Sequence, residues 1–213
     1  MPPTPPQDSP APPSRVLGVL GGIASGKSEV ARQLAGAGGV VIDADRLAHE
    51  VLNSPEVVQR LVERFGEGVL GEDGLPDRAR LGERVFGDAE ARAALEGWIH
   101  PAVRARISDE LARARAASRS PIVLDVPLLL ENDGQHGLVG ECDFLVFVDA
   151  DAEVRDRRAQ ERRGWAPGEV ARRERAQLPL EEKRRAARHV LENDSGLDEL
   201  TARVRALRES EGL

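Results

Sequence analysis

Residues 21–28 read Gly-Gly-Ile-Ala-Ser-Gly-Lys-Ser, directly after the apolar run Val16-Leu17-Gly18-Val19-Leu20 and directly before a segment of helical spacing. A strand that dissolves into glycines and restarts as a helix leaves few folds open. The pattern G-x-x-x-x-G-K-[ST] is that of a phosphate-binding loop, in which glycines let the backbone take positive φ and wrap closely around an oxyanion. The loop N–H groups then point inward, and the following helix adds its positive end. In such a loop Lys27 bridges the β- and γ-phosphates and the Ser28 hydroxyl ligates magnesium. Gly22, Ile23, Ala24, Ser25 and Gly26, with Glu29 in the first helical turn, complete the expected cradle for ATP. The lysine is informative in itself. Of the 30 basic residues all but Lys27 and Lys183 are arginine. A compact ammonium on a thin stem enters a tight backbone loop where a guanidinium fork does not.

Beyond the loop, strand-like and helix-like segments alternate. Val40-Val41-Ile42, Pro121–Leu124, Phe144–Val148 and His189–Glu192 read as further strands. Helical spacing runs over 28–35, 46–52, 55–65, 77–86, 88–99, 101–117, 151–163, 167–176, 180–188 and 197–208. Short buried strands separated by helices imply an α/β fold, a three-layer α/β/α with a parallel sheet of about five strands. The stretch 55–117 holds no strand and reads as a helical excursion, whereas 151–180 is rich in arginine and reads as a lid. The core is then 15–54, 118–150 and 181–213.

A phosphate loop alone leaves kinases, GTPase switches and ATP-driven motors open. No Asn-Lys pair is present to read guanine, and no run of four apolar residues ends in paired acids. Phosphoryl transfer to a small acceptor is favoured. Such a reaction needs a carboxylate near the loop to take the proton of an attacking hydroxyl, and the carboxyl ends of the strands face the ligand crevice. Asp43 and Asp45 follow the second strand; one can act as base while the other caps the next helix or supports magnesium. Asp125 closes the third strand and can support magnesium or substrate, and Asp149 reads as a helix cap. Transfer also needs cations over the developing charge, which a lid at 155–175 can supply. His100-Pro101 reads as a helix boundary, because proline suits a first helical turn and holds its predecessor extended.

Composition narrows the setting. A 40% hydrophobic content supports a core, aliphatic because aromatics are only 3%. The net charge of −7 argues against nucleic-acid or anionic-membrane partners. The single cysteine, Cys142, fits a reducing, cytoplasmic compartment and reads as a small core residue. No apolar run approaches the roughly 18 residues of a membrane span. Residues 1–14 are proline-rich and read as a disordered tail.

Taken in order, GGIASGKS (21–28), VIDADRLAHEVL (41–52), LPDRARLGERVF (75–86), IHPAVRARI (99–107), VLDVPLLLEN (123–132), AQERRGW (159–165), AQLPLEEKRRAA (176–187) and VLEN (190–193) resemble the dephospho-coenzyme A kinase family, which is similar to the nucleoside-monophosphate kinases. The resemblance implies transfer of the ATP γ-phosphate to the ribose 3′-hydroxyl of dephospho-coenzyme A, with magnesium, by a monomer or weak homo-oligomer. It implies that Asp45 is the base, that 55–117 holds the acceptor, and that Arg158 (catalytic) and Arg162 (toward ATP) belong to the lid. By the same resemblance His100, Pro101, Asp125 and Leu128 touch the acceptor and Asn193 borders the adenine. The chain departs from the family at Arg162-Arg163-Gly164, often Arg-Asp-Gly, and at Ala187-Arg188, usually Ala-Asp. Another small-molecule kinase with a nucleoside or nucleotide acceptor, or a nucleotide-gated binding module, remains the alternative.

Overall fold

The computed structural model describes residues 13–213, so the tail expected over 1–14 falls almost wholly outside the described residues. In chain order the elements are β1 (Val16–Gly21), α1 (Lys27–Ala35), β2 (Val40–Asp43), α2 (Ala44–Leu52), α3 (Pro55–Phe65), α4 (Arg78–Val85), α5 (Ala89–Ala116), β3 (Ile122–Asp125), α6 (Asp133–His136), β4 (Phe144–Asp149), α7 (Ala152–Arg163), α8 (Glu169–Glu174), α9 (Leu180–Ala186), β5 (His189–Glu192) and α10 (Leu197–Glu211). The five strands form one parallel sheet in the order β2-β3-β1-β4-β5. Every strand therefore delivers its carboxyl end to the same edge, with β1 and its loop at the centre. The pairing of β2 with β3 sets Asp43 beside Asp125, and that of β4 with β5 sets Asp149 beside Glu192.

Side chains alternate along each strand, so β1 feeds two cores. Val16 and Leu20 join Ile42, Leu47, Ile107 and Leu111 on the face covered by α2 and α5. Leu17 and Val19 join Val30, Leu34, Val204 and Leu207 on the face covered by α1 and α10. Each such side chain, taken fully out of water, stabilises the fold by about 1.5–3 kcal/mol. A third cluster packs Val51 at the end of α2 against Val57, Leu61, Val69 and Leu81 of the helical excursion.

One element departs from the expectation. His100-Pro101 does not divide two helices; α5 runs unbroken through Pro101. A proline inside a helix removes one hydrogen bond and costs about 3 kcal/mol. Packing on both sides outweighs that cost. Before the proline, Leu95, Trp98 and Ile99 pack on the excursion cluster, and after it Ile107, Leu111 and Ala114 bury against the sheet. The helix is continuous because it joins two cores, each of which holds one half in register. A second departure is Asp149, which does not cap α7. Its carboxylate pairs with Arg184, and the residue at the cap is Asp151.

Candidate active site

Between Gly21 and Lys27 the chain makes a compact loop. Gly26 takes φ 95° and ψ 21°, a left-handed conformation open to glycine, and becomes the N-cap of α1 without a side chain to offer. The first amides of α1 thus have no side-chain acceptor. Any side chain at residue 26 would collide with the Asn193 amide, which donates to the Ser25 carbonyl at 2.7 Å. Asn193, buried at the end of β5, thereby clasps the loop from behind. Lys27 folds over the loop and donates from Nζ to the carbonyls of Gly21 at 3.1 Å and Gly22 at 2.8 Å. Burial lowers its ammonium from the ordinary lysine range to about 8, with Lys183 and Arg163 adding to the fall and Asp125 and Glu174 opposing it.

The loop opens onto a cleft of about 730 Å³ at the carboxyl edge of the sheet. Of the residues expected there, Ile23, Ala24, Gly26, Lys27, Ser28, Glu29, Asp45, Asp125, Leu128, Arg158, Arg162 and Asn193 line it. Gly22, Ser25, His100 and Pro101 do not. Gly22 and Ser25 are buried in the loop itself, whereas His100 and Pro101 lie exposed on α5. The structure separates the paired acids after β2. Asp43 caps α2, its carboxylate accepting the Arg46 amide at 3.0 Å, so the capping role falls to Asp43. Asp45, the second residue of α2, is exposed and faces the cleft. Asp125 is buried, and burial raises its pKa while Ser28 and Lys27 pull it back. Leu128 stands at the rim in a left-handed backbone conformation, φ 55°, with its side chain exposed.

The sequence could not sort the arginines of 155–175, and the geometry does. Arg172 and Arg173 are bound to Glu169 on their own helix, and Arg155 is bound to Glu174. Arg158, Arg162 and Arg163 line the cleft and meet no carboxylate within ion-pair range among the described residues. Arg158 is tethered through one nitrogen to the Asn193 carbonyl at 2.9 Å, and its other terminal nitrogen is buried without a partner. Burial and the neighbouring Arg162 lower its pKa. The departure at 163 is accommodated, because the Arg163 guanidinium stacks over Trp165 at 5.0 Å. That at 188 is too: Arg188 pairs with Glu211 at 3.1 Å.

Lys183 was not singled out for the site, and the structure puts it there. It is buried, lines the cleft beside Gln177, and is held by Glu131 at 2.6 Å and Gln177 at 3.1 Å. The signal was present, since it is the other lysine of an arginine-rich chain. Ser195, from the turn after β5, and Leu197, at the start of α10, complete the wall near Asn193. Cys142 stays apart, its thiol donating to the Leu138 carbonyl at 3.3 Å and pushed up to about 12 by burial. Among the described residues no three acidic, histidine or cysteine side chains stand close enough to hold a metal ion by themselves. No helix there is long and apolar enough to cross a membrane.

Comparison with known proteins places the chain in a family. A family model described as dephospho-CoA kinase matches residues 15–199. A dephospho-CoA kinase of Symbiobacterium thermophilum is 42% identical over 193 residues, 90% of this chain and 79% of that protein. One from Thermobifida fusca is 39% identical over 189 residues, 88% of this chain and 92% of that protein. Among solved structures, TT1252 from Thermus thermophilus is 38% identical and superposes with a TM-score of 0.74 over 94% of this chain and 98% of that one. A dephospho-CoA kinase from Campylobacter jejuni, 23% identical, shares the fold with a TM-score of 0.67 over 92% of this chain and 97% of that one. On the family match and these relatives, the chain belongs to the dephospho-CoA kinase family.

Proposed function

We propose that this chain transfers the γ-phosphate of ATP to the ribose 3′-hydroxyl of dephospho-coenzyme A, giving coenzyme A and ADP, in the cleft at the strand ends. The observation that carries this is that Asp45, on the helix after β2, and the phosphate loop, after β1, face one cleft. The loop amides and Lys27 hold the triphosphate. Asp45 orients the 3′-hydroxyl in line and takes its proton as the oxygen bonds to the γ-phosphorus and the bond to the β-phosphate oxygen breaks. Arg158, with its unpartnered buried nitrogen, and Arg162 stand over the charge that develops on the transferring group. Leu128 at the rim and the buried Asp125 lie on the acceptor side, and Asn193 borders the adenine.

Magnesium, carried in with ATP, supplies neutralisation of the phosphate charge. The donor set fits it: magnesium takes one or two protein oxygens and completes its shell with phosphates and water. The Ser28 hydroxyl and the Asp125 carboxylate, both at the cleft, are the residues to hold it. The helical excursion at 55–117 shelters the acceptor, and 151–180 closes over the phosphates.

The test is mass spectrometry after incubation with magnesium, ATP and a mixture of dephospho-coenzyme A, nucleosides and nucleoside monophosphates. One added phosphate on dephospho-coenzyme A, lost in Lys27→Ala, is the expected result. Phosphate on another acceptor, or on none from folded protein, would overturn the reading.

A further inference from the structure

Outside the cleft-lining groups, one buried ion pair reaches the phosphate loop. Arg155 of α7 is 5% exposed, and its NH1 lies 2.5 Å from Oε1 of Glu174 on α8. That same oxygen accepts the Ile23 backbone N–H at 2.8 Å. Arg155 is itself fixed, because its Nε donates to the Ala150 carbonyl at 2.9 Å just past β4. A continuous path therefore runs from the end of β4, through Arg155 and Glu174, to the first half of the phosphate loop.

The loop is shaped to receive it. A Cβ on Gly22 would stand 2.7 Å from Glu174 Oε1 and 2.8 Å from Arg155 NH1. Gly22 faces this pair rather than the cleft, so at this position glycine makes room for a side-chain strut. The carboxylate also satisfies a backbone donor that would otherwise be left in a half-buried turn, and an unpaired buried donor is expensive.

We infer that Glu174 is a positioning residue for ATP: through the Ile23 amide it fixes the phosphate loop, with Arg155 neutralising and anchoring its carboxylate. Lys27 donates to the Gly21 and Gly22 carbonyls, so a loop held at Ile23 also holds the platform on which the ammonium rests. This rests on the cleft being the ATP site.

The test compares variants of the full chain by ATP titration calorimetry and by KM for ATP and for dephospho-coenzyme A. Arg155→Leu with Glu174→Leu removes both charges and the acceptor. Arg155→Leu with Glu174→Gln removes the same charges but keeps an oxygen for the Ile23 N–H. The leucine pair should weaken ATP binding about tenfold or more, and the glutamine pair should restore it to within about threefold. KM for dephospho-coenzyme A should move in neither. Glu174→Asp keeps the charge but draws the oxygen shared by Arg155 and the Ile23 N–H back by one methylene, and should show the same loss specific to ATP should the leucine pair fail to fold. Wild-type affinity for ATP in folded Glu174→Asp or in the leucine pair would overturn the inference, leaving Glu174 a merely structural partner of Arg155. Failure of the wild-type chain to bind ATP would instead refute the reading of the cleft.

Discussion

Raising the pH from 7 to 9 tests the placement of Lys27 through its charge. Its ammonium sits at about 8 because burial penalises the charged form more than Asp125 and Glu174 favour it. A base whose pKa is lowered loses its proton early as pH rises, so about nine-tenths of the free protein carries the charge at pH 7 and about one-tenth at pH 9. ATP binds the protonated form, and kcat/KM for ATP should fall about tenfold for each pH unit above the midpoint. Bound phosphates favour the ammonium and raise its pKa in the complex, so kcat at saturating ATP should hold level where kcat/KM already falls. Calorimetry in buffers of different ionisation enthalpy gives a second readout. Binding near pH 8 should take up about half a proton. A flat kcat/KM to pH 9.5 in protein that keeps its circular dichroism, with no proton uptake, would show that Lys27 does not meet the triphosphate as a partly desolvated ammonium.

Asp45→Asn should lower kcat by about 10²–10⁴-fold with little change in KM for ATP, since a general base contributes that much; because Asp45 is exposed, the melting temperature should barely move. Gly26→Ala should abolish ATP binding and destabilise the fold by about 1–3 kcal/mol, as a Cβ meets both the φ of 95° and the Asn193 amide; denaturant unfolding measures the latter. Cys142, its thiol at about 12, should resist a thiol reagent at pH 8 in native protein and react once the chain is unfolded, with activity unchanged until then.

The strands were legible because a parallel sheet buried on both faces writes itself as short aliphatic runs, and all five stand within a residue or two of their expected positions. Their order was not, since nothing local in Ile122–Asp125 says that it inserts between β1 and β2. Pro101 misled for a related reason: its local cost is real, and the packing that overrides it comes from two clusters distant in sequence. Within the site, what could be read was what a motif fixes in one dimension, namely the loop. Asp43 and Asp45 are two residues apart and chemically alike, and only the turn of α2 assigns one to the cap and the other to the cleft. The arginines posed the same problem in stronger form, because each carries the same charge until a partner is seen. Lys183 had a compositional signal. Glu174 had none, being one acid among 37.

The polar side chains that the fold buries make the case for the site independently of any motif. Among the described residues they are Ser25, Asp125, Arg155, Lys183 and Asn193. They come from the loop, from the end of β3, from α7, from α9 and from the end of β5, elements with no common sequence neighbourhood. Yet Asp125, Lys183 and Asn193 line the cleft, Asn193 donates to the Ser25 backbone carbonyl, and Arg155 reaches Ile23 through Glu174. Burying polar groups is costly unless each finds a partner, and a chain selected for stability alone would fill these positions with the aliphatic residues it uses elsewhere. Their convergence on the loop and its cleft is therefore a cost borne for what that cleft holds. A turn that merely connected a strand to a helix would need none of them.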